Sequence, residues 1–309
     1  MPEASPLLAG SAPVCFGVNE VLPPEAWMPE PDSIVDAIAD LGYLGTELGP
    51  PGFLGDGHAV RERLGRRSLE LIGSFLPMHF SRQEQFDAER TWLTDSLRII
   101  REASGLDRPF AILSDGFDEP ERMQFAGRIQ AHPEAWLPPE RFRTLMENLH
   151  RAGEICRQAG FEPVLHHHAA TYVETRDEIR RVLDAMDGSL ISLCLDTGHA
   201  RFGGADPADL VETYHELIRH VHLKDVSAPL MEAGLARGDD FEVLVGDGAF
   251  CELGQGDAGI DRVVQALRKH AYQGWVVVEQ DRYLGRGDTF EGVVAAQRRN
   301  REYMRSLGI

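Results

Sequence analysis

The sequence predicts an α/β protein, a single (β/α)8 barrel over residues 1–309. Three observations carry this expectation. Strand-like apolar runs and amphipathic helical runs alternate eight times along the chain. A length of 309 residues suits eight such units in one closed barrel. No stretch rich in Gly, Ser or Pro divides the chain near its middle, where a two-domain protein would carry a linker.

The elements follow in order. Residues 1–12 read as a loose leader, and VCFGVN (14–19) as the first strand. After the Pro-rich loop 22–31, Asp32 is placed to cap a helix whose Ile34, Ile38 and Leu41 share one face, and Gly42 ends it. GTELG (45–49), LELIGSFLPMHF (69–80) and PFAILSDG (109–116) read as strands two to four, separated by helices around 58–69 and 84–104. Residues 117–138 read as an insertion. Pro138 and Pro139 open a helix over 139–159, with Phe142, Leu145, Leu149, Ala152 and Cys156 at spacings of three and four. EPVLHHH (162–168), LISLCLD (190–196), HVHLKD (220–225) and WVVVEQD (275–281) read as strands five to eight. Helices are expected over 174–186, from Asp206, over 259–270 and over 288–306, and 227–258 reads as a long loop inserted before the last unit.

Composition narrows the partners. Fifty acids against 31 Lys and Arg leave a net charge of −19, which repels phosphate backbones and anionic membrane surfaces. No nucleic-acid or membrane partner is expected, and no apolar run approaches the roughly 18 residues of a membrane helix. The four cysteines, Cys15, Cys156, Cys194 and Cys251, form no CxxC pair and read as reduced thiols of a cytoplasmic protein. The first 14 residues carry no Lys or Arg, so a signal peptide is not expected.

The chemistry concentrates at strand ends. LCLDTGH (193–199) runs from an apolar strand into Asp196 and His199, and a carboxylate at the end of a buried strand is costly unless paired, hydrogen-bonded or bound to a metal. HVHLKD brings His222 and WVVVEQD brings Glu279 to corresponding positions. On the fifth strand His166 and His168 share a side while His167 points away. Asp196, His222 and Glu279, with His166 or His168, make a mixed nitrogen and oxygen set for Mn²⁺, Co²⁺, Fe²⁺ or Zn²⁺. His199 and Lys224 could contact an oxygen-rich substrate or move protons. Alternatively they support the ligands, with Lys224 holding Asp225 or Asp281. Glu47 either faces the same mouth or is a solvated edge acid. GQGDAG (254–259) matches GxGxxG but follows no strand directly, so a dinucleotide site is not expected and a phosphate- or substrate-side loop is.

VLHHHAATYVET (164–175), LDTGHARFGGADP (195–207), HVHLKDV (220–226), FCELGQGDAGID (250–261) and WVVVEQDR (275–282) resemble the xylose-isomerase-like TIM-barrel superfamily, and within it the inosose dehydratases. GYLGTELG (42–49) fits the second-strand pattern of the same proteins. The resemblance implies a TIM barrel with a divalent cation, Mn²⁺ or Co²⁺ first, with Zn²⁺, Fe²⁺ and Mg²⁺ as further candidates. The metal set it implies is His166, Asp196, His222 and Glu279, with His166 where many relatives have Glu. It further implies a lyase removing water from a keto-cyclitol such as 2-keto-myo-inositol through an enediolate that the metal stabilises. Catalysis would fall to His168, His199, Lys224 and Glu279, with Glu47, His199, Lys224 and Asp281 binding a small polyol or keto-sugar. A metal-dependent ketose or cyclitol epimerase or isomerase would use the same enediolate, and a non-catalytic sugar-binding barrel is the alternative from another class. Relatives are often dimers or tetramers, so a homo-oligomer is compatible. Arg282 stands where dehydratases commonly have Pro, and no histidine lies between 223 and 269, where the apurinic-endonuclease branch has one.

Overall fold

The computed structural model describes residues 7–20 and 22–309. The strands are β1 (Leu8–Ser11), β2 (Gly45–Thr46), β3 (Glu70–Leu71), β4 (Gly73–Met78), β5 (Phe110–Asp115), β6 (Glu162–His166), β7 (Ser192–Asp196), β8 (Ile218–Leu223), β9 (Asp225–Val226), β10 (Phe250–Cys251) and β11 (Trp275–Val278). Nine of them form one parallel sheet in the order β3-β2-β1-β11-β8-β7-β6-β5-β4, and β9 pairs antiparallel with β10. The parallel sheet curls into a barrel. Its two edge segments, β3 and β4, are parts of one strand interrupted at Ile72. Ile72 N–H donates to Thr46 on one side, and its carbonyl accepts from Phe110 N–H on the other. The interruption therefore joins the ends, and the nine segments act as eight barrel staves.

A helix follows each stave: Pro31–Asp40, Gly57–Gly65, Gln83–Ala103, Pro139–Gln158, Arg176–Ala185, Pro207–Tyr214, Ile260–Lys269 and Phe290–Ser306. Each lays an apolar stripe on the sheet, as Leu145, Leu149, Ala152 and Cys156 do along 139–158. Thr175 starts its helix with a capping box, its hydroxyl accepting from Glu178 N–H and the Glu178 carboxylate accepting from Thr175 N–H.

Several expectations need correction. The first strand is Leu8–Ser11, pairing in register with Trp275–Val278, so the described part of the expected leader is a barrel stave; residues 1–6 lie outside the described residues. VCFGVN is instead a 3-10 turn, Pro13–Phe16, closed by Gly17 at φ 82°. The first helix begins at Pro31, and Asp32 lies in its first turn, paired with Arg63, rather than capping it. The insertion at 117–138 folds into a short helix, Pro120–Phe125, and two 3-10 turns. The segment 227–258 is not a loop. It holds helices Ala228–Arg237 and Phe241–Gly246, capped by Ser227 and Asp240 side chains, and then β10. No helix among the described residues is long and apolar enough to cross a membrane.

Candidate metal centre

Parallel register brings the acidic and imidazole groups together. Asp196, last in β7, is the register partner of His222 in β8, and His166, last in β6, pairs with Cys194 two residues before Asp196. Glu279 follows β11 directly, its N–H donating to Leu223. One donor atom from each of His166, Asp196, His222 and Glu279 lies within 4.8 Å of the others. His166 Nε2 is 3.4 Å from Asp196 Oδ2, and His222 Nδ1 is 3.0 Å from Glu279 Oε2 and 3.7 Å from Asp196 Oδ2. All four side chains are buried.

The tautomer of His222 suits a metal. Its Nε2 lies 2.8 Å from Glu47 Oε1, a carboxylate placed to accept its N–H, so that Nδ1, facing the cluster, is the nitrogen that would ligate. That Nδ1 is buried without a hydrogen-bond partner, as is Nδ1 of His166. Two imidazoles and two carboxylates at these separations fit a dication, which sits about 2.0–2.2 Å from such donors. Burial works against ionising Asp196, but Lys224, His199 and the imidazoles of His166 and His222 override it and hold the carboxyl well below its usual range. Burial is likewise overridden at Glu279, chiefly by His222 and Lys224, and its pKa is lowered.

A second set, His168, His199 and Asp281, lies beside the first, again with donor atoms within 4.8 Å. The Lys224 ammonium joins the two sets. It is 3.2 Å from Asp196 Oδ2, 3.1 Å from Glu279 Oε2, 2.8 Å from Asp281 Oδ1 and 2.8 Å from His199 Nε2. His168 Nδ1 donates to the Ala169 carbonyl at 2.6 Å, so its Nε2 carries the lone pair. Burial, reinforced by neighbouring imidazoles, pushes the pKa of His168 well down; burial and Lys224 do the same at His199. Both shifts favour the uncharged ring. His167 does point away: its Nε2 accepts from Asp196 N–H at 3.3 Å.

Glu47 is no solvated edge acid. It is 2% exposed, and its Oε1 lies 2.8 Å from Nε2 of both His220 and His222. Asp225 makes no pair with Lys224, which faces Asp281 instead. The Asp225 carboxylate accepts from the N–H groups of Gly254, Gly256, Ala258 and Val226 at 2.9–3.1 Å. The GxGxxG turn is thus wrapped around the protein's own carboxylate, and its amides are not free for a phosphate.

Sequence reasoning missed His220 and the aromatic wall. His220, His222 and Lys224 alternate along one strand and so share a side, a period-two signal that was available. Phe117 stacks on His168 at 5.3 Å and Phe241 meets it edge-on at 5.7 Å, one from each insertion. Phe75 packs against His166, and Phe250 against His199. These rings line or back a cavity of about 580 Å³ over the cluster. Its wall adds Glu20, Asp118, Asp240 and Glu242 and, among the described residues, no arginine.

Comparisons with known proteins find relatives along most of the chain. Inosose dehydratase of Geobacillus kaustophilus is 32% identical over 287 residues, covering 90% of this chain and 88% of that protein. That of Bacillus licheniformis is 28% identical, covering 80% of each. Among solved structures, a D-allulose 3-epimerase from Methylomonas sp. superposes with TM-score 0.69 at 14% identity over 98% of each chain. A probable 3-DHS dehydratase from Bacillus anthracis gives 0.66 at 14% identity over 97% and 99%. The profile of the "Xylose isomerase-like TIM barrel" family matches residues 35–307, and with the barrel closed through Ile72 and a buried His/Asp/Glu cluster at its mouth, the chain belongs to that family.

Proposed function

We propose that this chain is a divalent-metal-dependent dehydratase that removes water from an uncharged keto-cyclitol such as 2-keto-myo-inositol. The observation that carries the reading is the pairing of a four-donor cluster with an acidic, arginine-free cavity. A phosphorylated or carboxylate-bearing substrate would find no free cation there among the described residues, because the one lysine is already engaged by three carboxylates and the lining His79 by Glu89 and Asp118. Similarity to inosose dehydratases over most of both chains supports the same substrate class.

His166, Asp196, His222 and Glu279 would hold the dication, with Mn²⁺ or Co²⁺ first. When bound, it supplies Lewis acidity to the substrate ketone. His168, neutral and with its Nε2 lone pair free, takes the proton from the carbon next to the ketone. His199 and Lys224, 2.8 Å apart, return a proton to the hydroxyl on the next carbon as its C–O bond breaks. Proton and hydroxyl leave together as water, and the carbon skeleton becomes an enone whose enol tautomerises to a diketone. Asp281 fixes the pair, 3.3 Å from His199 Nε2 and 2.8 Å from Lys224 Nζ. Phe117 and Phe241 keep bulk water from the reacting carbons.

Incubation of the Mn²⁺-loaded protein with 2-keto-myo-inositol, monitored by ultraviolet absorbance, tests the reading. A rising enone or diketone band is expected, with none from a phosphorylated ketose. Solvent-deuterium incorporation with inverted stereochemistry and no absorbance change would instead assign an epimerase.

A further inference from the structure

The cluster of His168, His199 and Asp281 could itself ligate a metal, yet an ammonium lies against it. The placement is built rather than incidental. Thr197 Oγ1 donates to the Lys224 carbonyl at 2.6 Å and accepts from Lys224 N–H at 2.8 Å. Gly198 leaves the room through which the lysine stem passes, since a Cβ there would stand 2.5 Å from Lys224 Cγ. The Phe250 ring lies 5.4 Å from Nζ. The residue is 1% exposed.

We propose that the Lys224 ammonium occupies the place of a second dication, so that the chain binds one divalent metal and loss of the amine opens a second site at His168, His199 and Asp281. The inference rests on the four-donor reading of the neighbouring cluster. Charge argues for it. One dication and one ammonium balance Asp196, Glu279 and Asp281, three buried carboxylates within 3.2 Å of Nζ. Without the ammonium one of the three is left uncompensated in a water-poor site, which strongly favours capture of another cation. Geometry argues the same way. The ammonium touches one oxygen of each first-cluster carboxylate and both an oxygen and a nitrogen of the second set, donor atoms that a second cation would otherwise draw on. A lysine there also brings positive charge to the substrate's side whatever the metal supply.

Equilibrium dialysis of the full chain against Mn²⁺, with metal analysis, tests this. The wild type should saturate at one Mn²⁺ per chain, Lys224→Ala at two, and Lys224→Ala combined with Asp281→Asn at one again. Lys224→Met removes the charge while filling the space. It should keep one Mn²⁺ and hold it about tenfold more tightly, because a repelling charge near two donor oxygens is gone. Two Mn²⁺ in the wild type, one in a folded Lys224→Ala, or unchanged affinity in Lys224→Met each overturns the proposal. A wild type that binds no Mn²⁺ refutes the four-donor reading and this inference with it.

Discussion

Glu47 Oε1 accepts from Nε2 of His222 at 2.8 Å, across 175 positions of sequence. The same oxygen lies 2.8 Å from His220 Nε2. A carboxylate behind an imidazole sets the ring's tautomer and orientation and raises its basicity toward a metal.

Glu47→Ala should therefore weaken Mn²⁺ binding about 10- to 100-fold while the protein stays folded. Isothermal titration with Mn²⁺ checks this, and turnover should return at high metal concentration. Unchanged affinity would mean that His222 does not ligate.

Asp196→Asn should lose metal and turnover together. Asn keeps the oxygen that accepts from His199 N–H at 2.8 Å, so the helix Thr197–Phe202 that Asp196 caps should survive. Far-ultraviolet circular dichroism should be unaltered while metal analysis falls. In the wild type, EDTA should abolish turnover and Mn²⁺ or Co²⁺ should restore it.

His168→Gln should lower kcat by about 10²- to 10⁴-fold with Mn²⁺ occupancy intact, as for loss of a general base. Loss of metal in this variant would move His168 into the ligand set.

His79 anchors the 117–138 insertion. Its Nδ1 pairs with Glu89, and its Nε2 lies 2.8 Å from Asp118 Oδ1. The hydrogen bond to Glu89, aided by that to Asp118 and opposed by burial, raises its pKa to about 9. For a base whose pKa rises on folding, the stabilisation is complete below about pH 6.5 and is lost as pH climbs through about 9. The wild-type Tm should thus decline more steeply than that of His79→Gln between pH 7 and 10, as read by differential scanning calorimetry.

Arg122, wholly buried, meets Glu178 with both terminal nitrogens at 2.8 and 2.9 Å. Arg122→Met should destabilise the fold by about 3 kcal/mol, because Glu178 is left without its partner. Chemical denaturation measures this, and adding Glu178→Gln should recover part of the loss.

The four staves that carry the cluster were legible because they are buried runs ending in Asp, His or Glu, a combination with few structural explanations. Leu8–Ser11 was not. Leu-Ala-Gly-Ser has low strand propensity, and only its pairing with Trp275–Val278 makes it a stave. VCFGVN has the composition of a strand, but Gly17 turns the chain within it. FEVLV was covered by the loop expected over 227–258 because its apolar residues are contiguous and show no helical spacing; Asp240 caps it as a helix, accepting from Val243 N–H at 3.0 Å. The fourth donor and the role of Glu47 depend on side-chain directions across the mouth, which spacing along one strand does not specify.

Asp225 gives the glycine-rich turn a lasting consequence. A negative group is already covalently installed where a phosphate would have to enter, and it travels with the chain. The same glycine spacing that elsewhere recruits a diffusible cofactor serves here to fasten the residues after β10 to the end of β8 and the start of β9, beside the antiparallel pair β9 and β10.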